Sequence, residues 1–266
     1  MDTVTLTIKE QPPLYLEAEV FNPDALAGKT AQEIADLPLP MGNTVCKVGD
    51  YFTVAGKGGA TAAETKVVVN GDLAKVKYIG ARMSSGEVVI NSSTDMYVGA
   101  WMTGGKILVK GSVGDFAATA MKGGELVIEG NAGNYLAAAY RGDWRGMQGG
   151  RIHVKGNVAA DTGFYMMGGE IVIDGDVGEH VMIHADGGKT VIKGNAKSRL
   201  GGQMVRGEIY LFGSLELMMP GFQHVGDVEL EVEGVKATFA EYIGDVGERH
   251  PKSKGQIIYG KLYQKK

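Results

Sequence analysis

A glycine pair followed by four residues that alternate polar and apolar recurs through this chain of 266 residues at a nearly fixed interval. With the second glycine as marker the series is Gly86, Gly105, Gly124, Gly150, Gly169, Gly188 and Gly207, so the steps are 19, 19, 26, 19, 19 and 19 residues. A repeat this short constrains the fold more than any local propensity, because no unit can bury its apolar face except against its neighbours. The second positions after the marker (Val88, Ile107, Leu126, Ile152, Ile171, Thr190, Ile209) and the fourth (Ile90, Val109, Ile128, Val154, Ile173, Ile192, Leu211) are apolar but for Thr190. Alternation of period two that ends at a turn is the pattern of a short strand with one face inward. Nineteen residues are too few for a propeller blade, the Leu/Asn signature of leucine-rich repeats is absent, and no repeat has room for a helix. The expected fold is all-β: a right-handed parallel β-helix, a solenoid of about 19-residue turns rising about 4.8 Å per turn, with N- and C-terminal caps.

The outward positions fit in-register stacking. Directly after the marker stand Glu87, Lys106, Glu125, Arg151, Glu170, Lys189 and Glu208, and the fifth positions run Lys110, Glu129, Lys155, Asp174 and Lys193. Both rows alternate in sign, which in a parallel stack places opposite charges one strand spacing apart. Met83, Met102, Met121, Met147, Met166 and Met204 each lie three residues before the marker. Unbranched thioethers fill irregular core space, so this column reads as interior packing and not as a soft-metal site.

Outside the repeat the period is lost. Residues 1–64 are expected to form an N-terminal cap, 65–213 the β-helix and 214–266 a C-terminal cap. In the first cap Thr3–Ile8 alternates like a strand, and Thr30-Ala31-Gln32-Glu33 is a capping box opening a short helix through Asp36, which Pro38 and Pro40 stop. Tyr51–Val54, Val228–Val232 and Gln256–Tyr259 read as further strands. Forty-two glycines without a Gly-X-Y period and only seven prolines exclude collagen and argue against disorder. A net charge of −4 gives no reason to expect nucleic acid or an anionic membrane as partner, and no leader or spanning apolar run is seen, so the expected compartment is the cytoplasm. The lone Cys46 rules out an intrachain disulfide.

Three features could carry function. The third position of each marked strand points outward yet reads Val89, Leu108, Val127, His153, Val172, Val191 and Tyr210, an apolar strip that expects a cover, either a partner protein or one of the chain's own caps. The one long step holds seven surplus residues within Asn131–Met147, ending in Tyr140-Arg141-Gly142-Asp143-Trp144-Arg145-Gly146. Tyr, Trp and Arg dominate interface hot spots, and arginines grip carboxylates in pairs of hydrogen bonds. An internal Arg141–Asp143 pair would instead merely brace the loop. His153, His180, His184, His224 and His250 are scattered; His180 and His184 have the spacing of a zinc helix, but on a strand they would stand about 13 Å apart. No nucleophile elbow or phosphate loop occurs, so no catalytic residue and no metal ligand is assigned.

The repeat Met-x-Gly-Gly-x-Ile/Leu-x-Val/Ile-x-Gly-Asn/Asp resembles the glycine-rich β-helix at the C-terminus of glutamate synthase large subunits. The Tyr140–Met147 stretch followed by Gly149-Gly150 narrows this: it is similar to the C subunit of formylmethanofuran dehydrogenase and to its bacterial counterpart, the gamma subunit of the formyltransferase/hydrolase complex. Ala185 where the column has Met, and Ser85 for the first glycine of its pair, depart from the pattern. The resemblance implies a non-catalytic scaffold subunit in one-carbon metabolism. In such a complex a formyl group passes from tetrahydromethanopterin through a methanofuran or methylofuran carrier to formate. The chemistry resides on amidohydrolase-like and formyltransferase partners, and no cofactor is held by this chain alone. It makes Tyr140, Arg141, Asp143, Trp144, Arg145, Val127, His153, Val172 and Tyr210 interface candidates, and Arg141 and Arg145 candidates for the carboxylate tail of a furan carrier. An archaeal tungsten or molybdenum dehydrogenase and a glutamate-synthase-like spacer remain as alternatives.

Overall fold

The computed structural model describes residues 1–246 and 258–266; His250 and the first half of the expected strand Gln256–Tyr259 lie outside them. Among the described residues thirteen strands join in one sheet: β1 (Asp2–Ile8), β2 (Phe52–Gly56), β3 (Thr65–Asn70), β4 (Glu87–Ile90), β5 (Lys106–Val109), β6 (Glu125–Ile128), β7 (Arg151–Val154), β8 (Glu170–Ile173), β9 (Lys189–Ile192), β10 (Glu208–Leu211), β11 (Gln223–Val232), β12 (Val235–Gly244) and β13 (Gly260–Lys265). From β1 through β3 to β10 and on to β13 every pairing is parallel. Antiparallel strands close both ends, β2 on β1 and the β11–β12 hairpin on β13. The ladder thus extends beyond the marked repeats, taking in β1 before them and β13 after.

Each marked strand pairs residue for residue with the next, Glu87 with Lys106 and Lys106 with Glu125. The long step changes nothing in this register, since Glu125 pairs with Arg151. A second line of parallel bridges joins Leu73, Thr94, Val113, Ala132, Val158, Val177 and Ala196. The chain therefore coils, returning to the same ladder once per repeat, in a parallel β-helix architecture. Opposite charges meet across the rungs, Lys66 with Glu87 at 3.2 Å, Lys106 with Glu125 at 3.4 Å and Lys189 with Glu170 at 2.9 Å. These pairs are solvated, so they contribute to register and only a few tenths of a kcal/mol each.

The interior is locked by methionine against glycine. The column Met83, Met102, Met121, Met147, Met166 and Met204 is buried. A Cβ placed on Gly105, Gly124, Gly150, Gly169 or Gly188 would lie 2.5–2.6 Å from the Cε of the methionine one rung earlier. A methionine end can swing aside, but at Gly105, Gly124 and Gly150 the same Cβ would also lie 2.7–2.9 Å from a carbonyl oxygen of the preceding rung, and these five markers turn with φ near +80 to +92°, where glycine is favoured. Where Ala185 interrupts the column, Met182 supplies the methyl instead, 2.5 Å from the Cβ position of Gly207.

The third side of each turn follows neither strand nor helix geometry: alternate residues are left-handed. Tyr78, Gly80 and Arg82 have φ of 65, 72 and 60°, and Tyr97, Gly99 and Trp101 have 65, 63 and 57°. Such conformations cost an L-residue about 1–2 kcal/mol each, and hydrogen bonds to both neighbouring rungs offset this. Tyr97 N and Trp101 N donate forward to Asp115 O (3.1 Å) and Thr119 O (2.7 Å), while Gly99 N donates back to Ile79 O (3.0 Å).

At the N-terminal end Thr30 caps the helix Ala31–Ala35 with the reciprocal Glu33 bond that the capping box anticipates. At the other end the structure corrects one expectation. The β11–β12 hairpin folds back over the outward strip, so that Val172 and Val191 are fully buried with Val232, Phe239 and Tyr263, and Tyr210, Phe212, Val228 and Leu230 pack against them. Val172 and Tyr210 are thus not free interface residues; the chain covers them itself because the hairpin presents its own alternating apolar face. Arg151 pins the hairpin tip through Glu233 at 3.0 Å. His153 sits at this boundary, half-buried, its Nε2 2.9 Å from Asp174 Oδ2. Beyond it Val89, Leu108 and Val127 line an open groove of about 250 Å³ beside the charged row Lys66, Glu87, Lys106 and Glu125.

Candidate functional site

The seven surplus residues leave the coil at one point and rejoin it at the next hydrogen bond. Ala139 N donates to Phe164 O (2.9 Å) and Gly146 N to Tyr165 O (2.8 Å). Consecutive carbonyls of one rung thus hold Ala139 before the insertion and Gly146, the last of the seven, at its end, and the six residues Tyr140–Arg145 between them are expelled without disturbing the ladder.

Asp143 organises the loop. Its Oδ1 accepts from Trp144 N (2.8 Å) and Arg145 N (3.2 Å), and Arg145 grips the carboxylate with Nε to Oδ1 at 3.0 Å and Nη2 to Oδ2 at 3.1 Å. The Arg145 hydrogen bond holds the Asp143 carboxyl below the usual range and raises the Arg145 guanidinium in turn. The expected brace is therefore Asp143 with Arg145, not with Arg141, because backbone donors from both following residues orient the carboxylate toward Arg145. Arg141 is left exposed, its guanidinium 5.7 Å from the Phe116 ring centre.

Tyr140 leans onto a row of rings that the strand-centred reading of the sequence missed. Left-handed positions on the third side bring Tyr78, Tyr97, Phe116 and Tyr135 into a parallel stack with centroids 4.6, 5.1 and 4.7 Å apart. Trp101 and Arg82 stand beside it, the guanidinium 4.5 Å from the indole, and Tyr140 lies 5.4 Å from Trp101. Burial raises the phenols of Tyr78, to about 12, and of Tyr97. The signal was present as aromatic residues at 19-residue steps, 78, 97, 116 and 135, in segments with no alternation to mark them. Between loop and stack lies a cavity of about 440 Å³ lined by Phe116, Tyr135, Tyr140, Arg141, Trp144 and Tyr165, among others.

Past the loop the same column turns polar: Asp161, His180 and Arg199. His180 Nδ1 is 3.3 Å from Asp161 Oδ1 and its Nε2 3.2 Å from Arg199 Nη1. His180 and His184 are not on a strand; both are left-handed, and they line one cavity of about 470 Å³ with Phe164 and Gln203. Among the described residues no three His, Cys, Asp or Glu side chains converge as a metal site would require.

No family model matches the chain. Over 96 residues it is 44% identical to the C subunit of tungsten-containing formylmethanofuran dehydrogenase 2 of Methanothermobacter thermautotrophicus, a stretch covering 36% of each chain. Over the same length it is 40% identical to the C subunit of molybdenum-containing formylmethanofuran dehydrogenase 1 of Methanosarcina barkeri, covering 36% of this chain and 32% of that one. The resemblance read from the repeat and the loop is borne out. The match spans about a third of the length of these curated relatives. A chain in the crystal structure of the formyltransferase/hydrolase complex of Methylorubrum extorquens with methylofuran has the same fold end to end: TM-score 0.86, 98% of this chain and 99% of that one, at 22% identity.

Proposed function

We propose that this chain is a scaffold subunit, not itself catalytic, of a cytoplasmic complex that carries formyl groups from formyl-tetrahydromethanopterin through a methanofuran or methylofuran carrier to formate. The observation that carries the reading is the 44% identity to a formylmethanofuran dehydrogenase C subunit, joined to full-length agreement in fold with a chain of a formyltransferase/hydrolase complex. The coil is taken as right-handed, the hand of nearly all parallel crossovers, with residues 1–64 and 214–266 as caps on a 65–213 rod.

In this reading a rigid rod presents two surfaces to amidohydrolase-like and formyltransferase partners. One is the loop Tyr140–Arg145 with the stacked rings, whose Tyr, Trp and Arg content is that of interface hot spots. The other is the open half of the strip, with Leu108 between Val89 and Val127 and with His153 at its edge. Neither arginine is assigned to a carboxylate tail of the carrier in this reading: Arg145 holds Asp143, and Arg141 is exposed on the cavity beneath the loop, the surface read as facing a partner.

Native mass spectrometry of the tagged chain purified from its own source tests the proposal. Co-purification of amidohydrolase and formyltransferase subunits in fixed ratio is expected. A chain that runs alone refutes it, and stoichiometric tungsten or molybdenum in the assembly would move the chain to a dehydrogenase.

A further inference from the structure

The ring stack stops in mid-column. Tyr78, Tyr97, Phe116 and Tyr135 lie nearly parallel, with interplanar angles of 5, 11 and 5°. The next residue of the column is Asp161, so one face of Tyr135 is covered by Phe116 and, among the described residues, no ring covers the other. Tyr135 lines the 440 Å³ cavity beneath the loop, facing Phe164 and Tyr165. Arg141 lines it too, and among the described residues no carboxylate lies within ion-pair distance of it, since Asp143 is engaged by Arg145. A stack lacking its next ring thus stands beside a cation lacking its anion.

We propose that the cavity receives an aromatic side chain of a partner polypeptide with an acidic residue directly beside it. The ring extends the stack on Tyr135, and the carboxylate pairs with Arg141. This rests on the reading that the loop faces a partner and names what that partner presents. The occupant is polypeptide and not a small molecule, because small-molecule sites enclose most of their ligand. Here the rim residues Tyr140 and Trp144 are 40% and 51% exposed, and the surface continues outward over Trp101 and Arg82. Offset-stacked rings and charge-assisted hydrogen bonds give such a contact direction as well as area.

The test titrates the full chain with three blocked dipeptides, N-acetyl-Phe-Glu-amide, its cyclohexylalanine analogue and N-acetyl-Phe-Gln-amide, following the ring signals of Tyr135 and Tyr165 by NMR. Phe-Glu is expected to shift both signals and to bind about five-fold tighter than the cyclohexyl analogue, the preference that stacking supplies beyond burial. Phe-Gln is expected to bind about three-fold more weakly to wild type and equally to Arg141→Gln, whose exposed side chain can be changed without cost to the fold. Tyr135→Phe keeps the aromatic preference and Tyr135→Leu loses it. Equal binding of the cyclohexyl peptide, or no movement of the Tyr135 signals at millimolar Phe-Glu, overturns the proposal. Subunits that co-purify while the peptide fails leave the complex assignment standing and remove this site; peptide binding by a chain that purifies alone does the reverse.

Discussion

Replacing Gly124 by alanine isolates the device that sets the rung geometry. Gly124 has φ of +91°, and an added Cβ would lie 2.6 Å from Met102 Cε, 2.7 Å from Gly105 O and 2.8 Å from Gly104 C. The backbone conformation alone costs an L-residue about 1–2 kcal/mol, and forcing a methyl into a packed core adds about 1–3 kcal/mol. A loss of about 3 kcal/mol follows, roughly 6–12 °C in thermal midpoint for a chain somewhat larger than those on which that scale rests. Gly207→Ala is the control. Gly207 lies outside the left-handed region, and its Cβ would meet the flexible ends Met182 Cε (2.5 Å) and Met204 Sδ (2.8 Å) before any backbone atom. Those side chains can swing aside, so about 1 kcal/mol and roughly 2–4 °C are expected. Differential scanning fluorimetry of the two variants side by side is sufficient. Equal shifts, or a Gly124→Ala midpoint within a degree of wild type, would refute the argument that backbone crowding at a left-handed turn makes the marker glycine obligatory.

Two further outcomes follow from the site and the hairpin. The Asp143 carboxyl, held down by the Arg145 hydrogen bond, is expected to titrate by NMR below an ordinary aspartate. A depressed acid contributes order above its unfolded value and loses it as pH falls through the folded one, so the loop should loosen only in strongly acidic solution. Arg145→Ala should return the midpoint toward the usual value, and an unchanged midpoint would disprove the brace. Phe239→Ala removes a fully buried ring that meets Phe212 edge-on at 5.4 Å. It should cost about 3–5 kcal/mol and raise binding of a hydrophobic dye as Val172 and Val191 are uncovered. Unchanged dye binding would mean that the hairpin is held elsewhere.

The parts of this molecule that repeat were legible from residue identities alone. Val88 and its equivalents point inward, the methionines form a buried column, and the surplus at 140–146 is expelled as a loop, because each follows from a period imposed by stacking. What covers the strip was not legible. Periodicity says that Val172 and Tyr210 face outward, but the hairpin that lies on them comes from residues 223–244, which share no period with the rungs and so carry no sign of where they pack. The ring stack escaped for a different reason. Tyr78, Tyr97, Phe116 and Tyr135 sit in left-handed positions that glycine usually marks, and bulky residues there hide the turn that aligns them. The Arg145–Asp143 pair turned on two backbone donors whose direction only the folded loop fixes.

Excising the loop tests the scaffold account most directly. Met147 N donates to Ala137 O (2.9 Å) across the loop just as Met121 N donates to Ala118 O (3.1 Å) one rung earlier, so a chain lacking residues 140–146 joins Ala139 to Met147 with a uniform 19-residue step at every rung. Co-expressed with amidohydrolase and formyltransferase subunits, it is expected to match the thermal midpoint of the wild-type chain within a few degrees and yet to elute from size exclusion without the partner that binds the loop. A loop-less chain that assembles as completely as wild type would contradict the claim that this loop is a surface by which the rod is recognised.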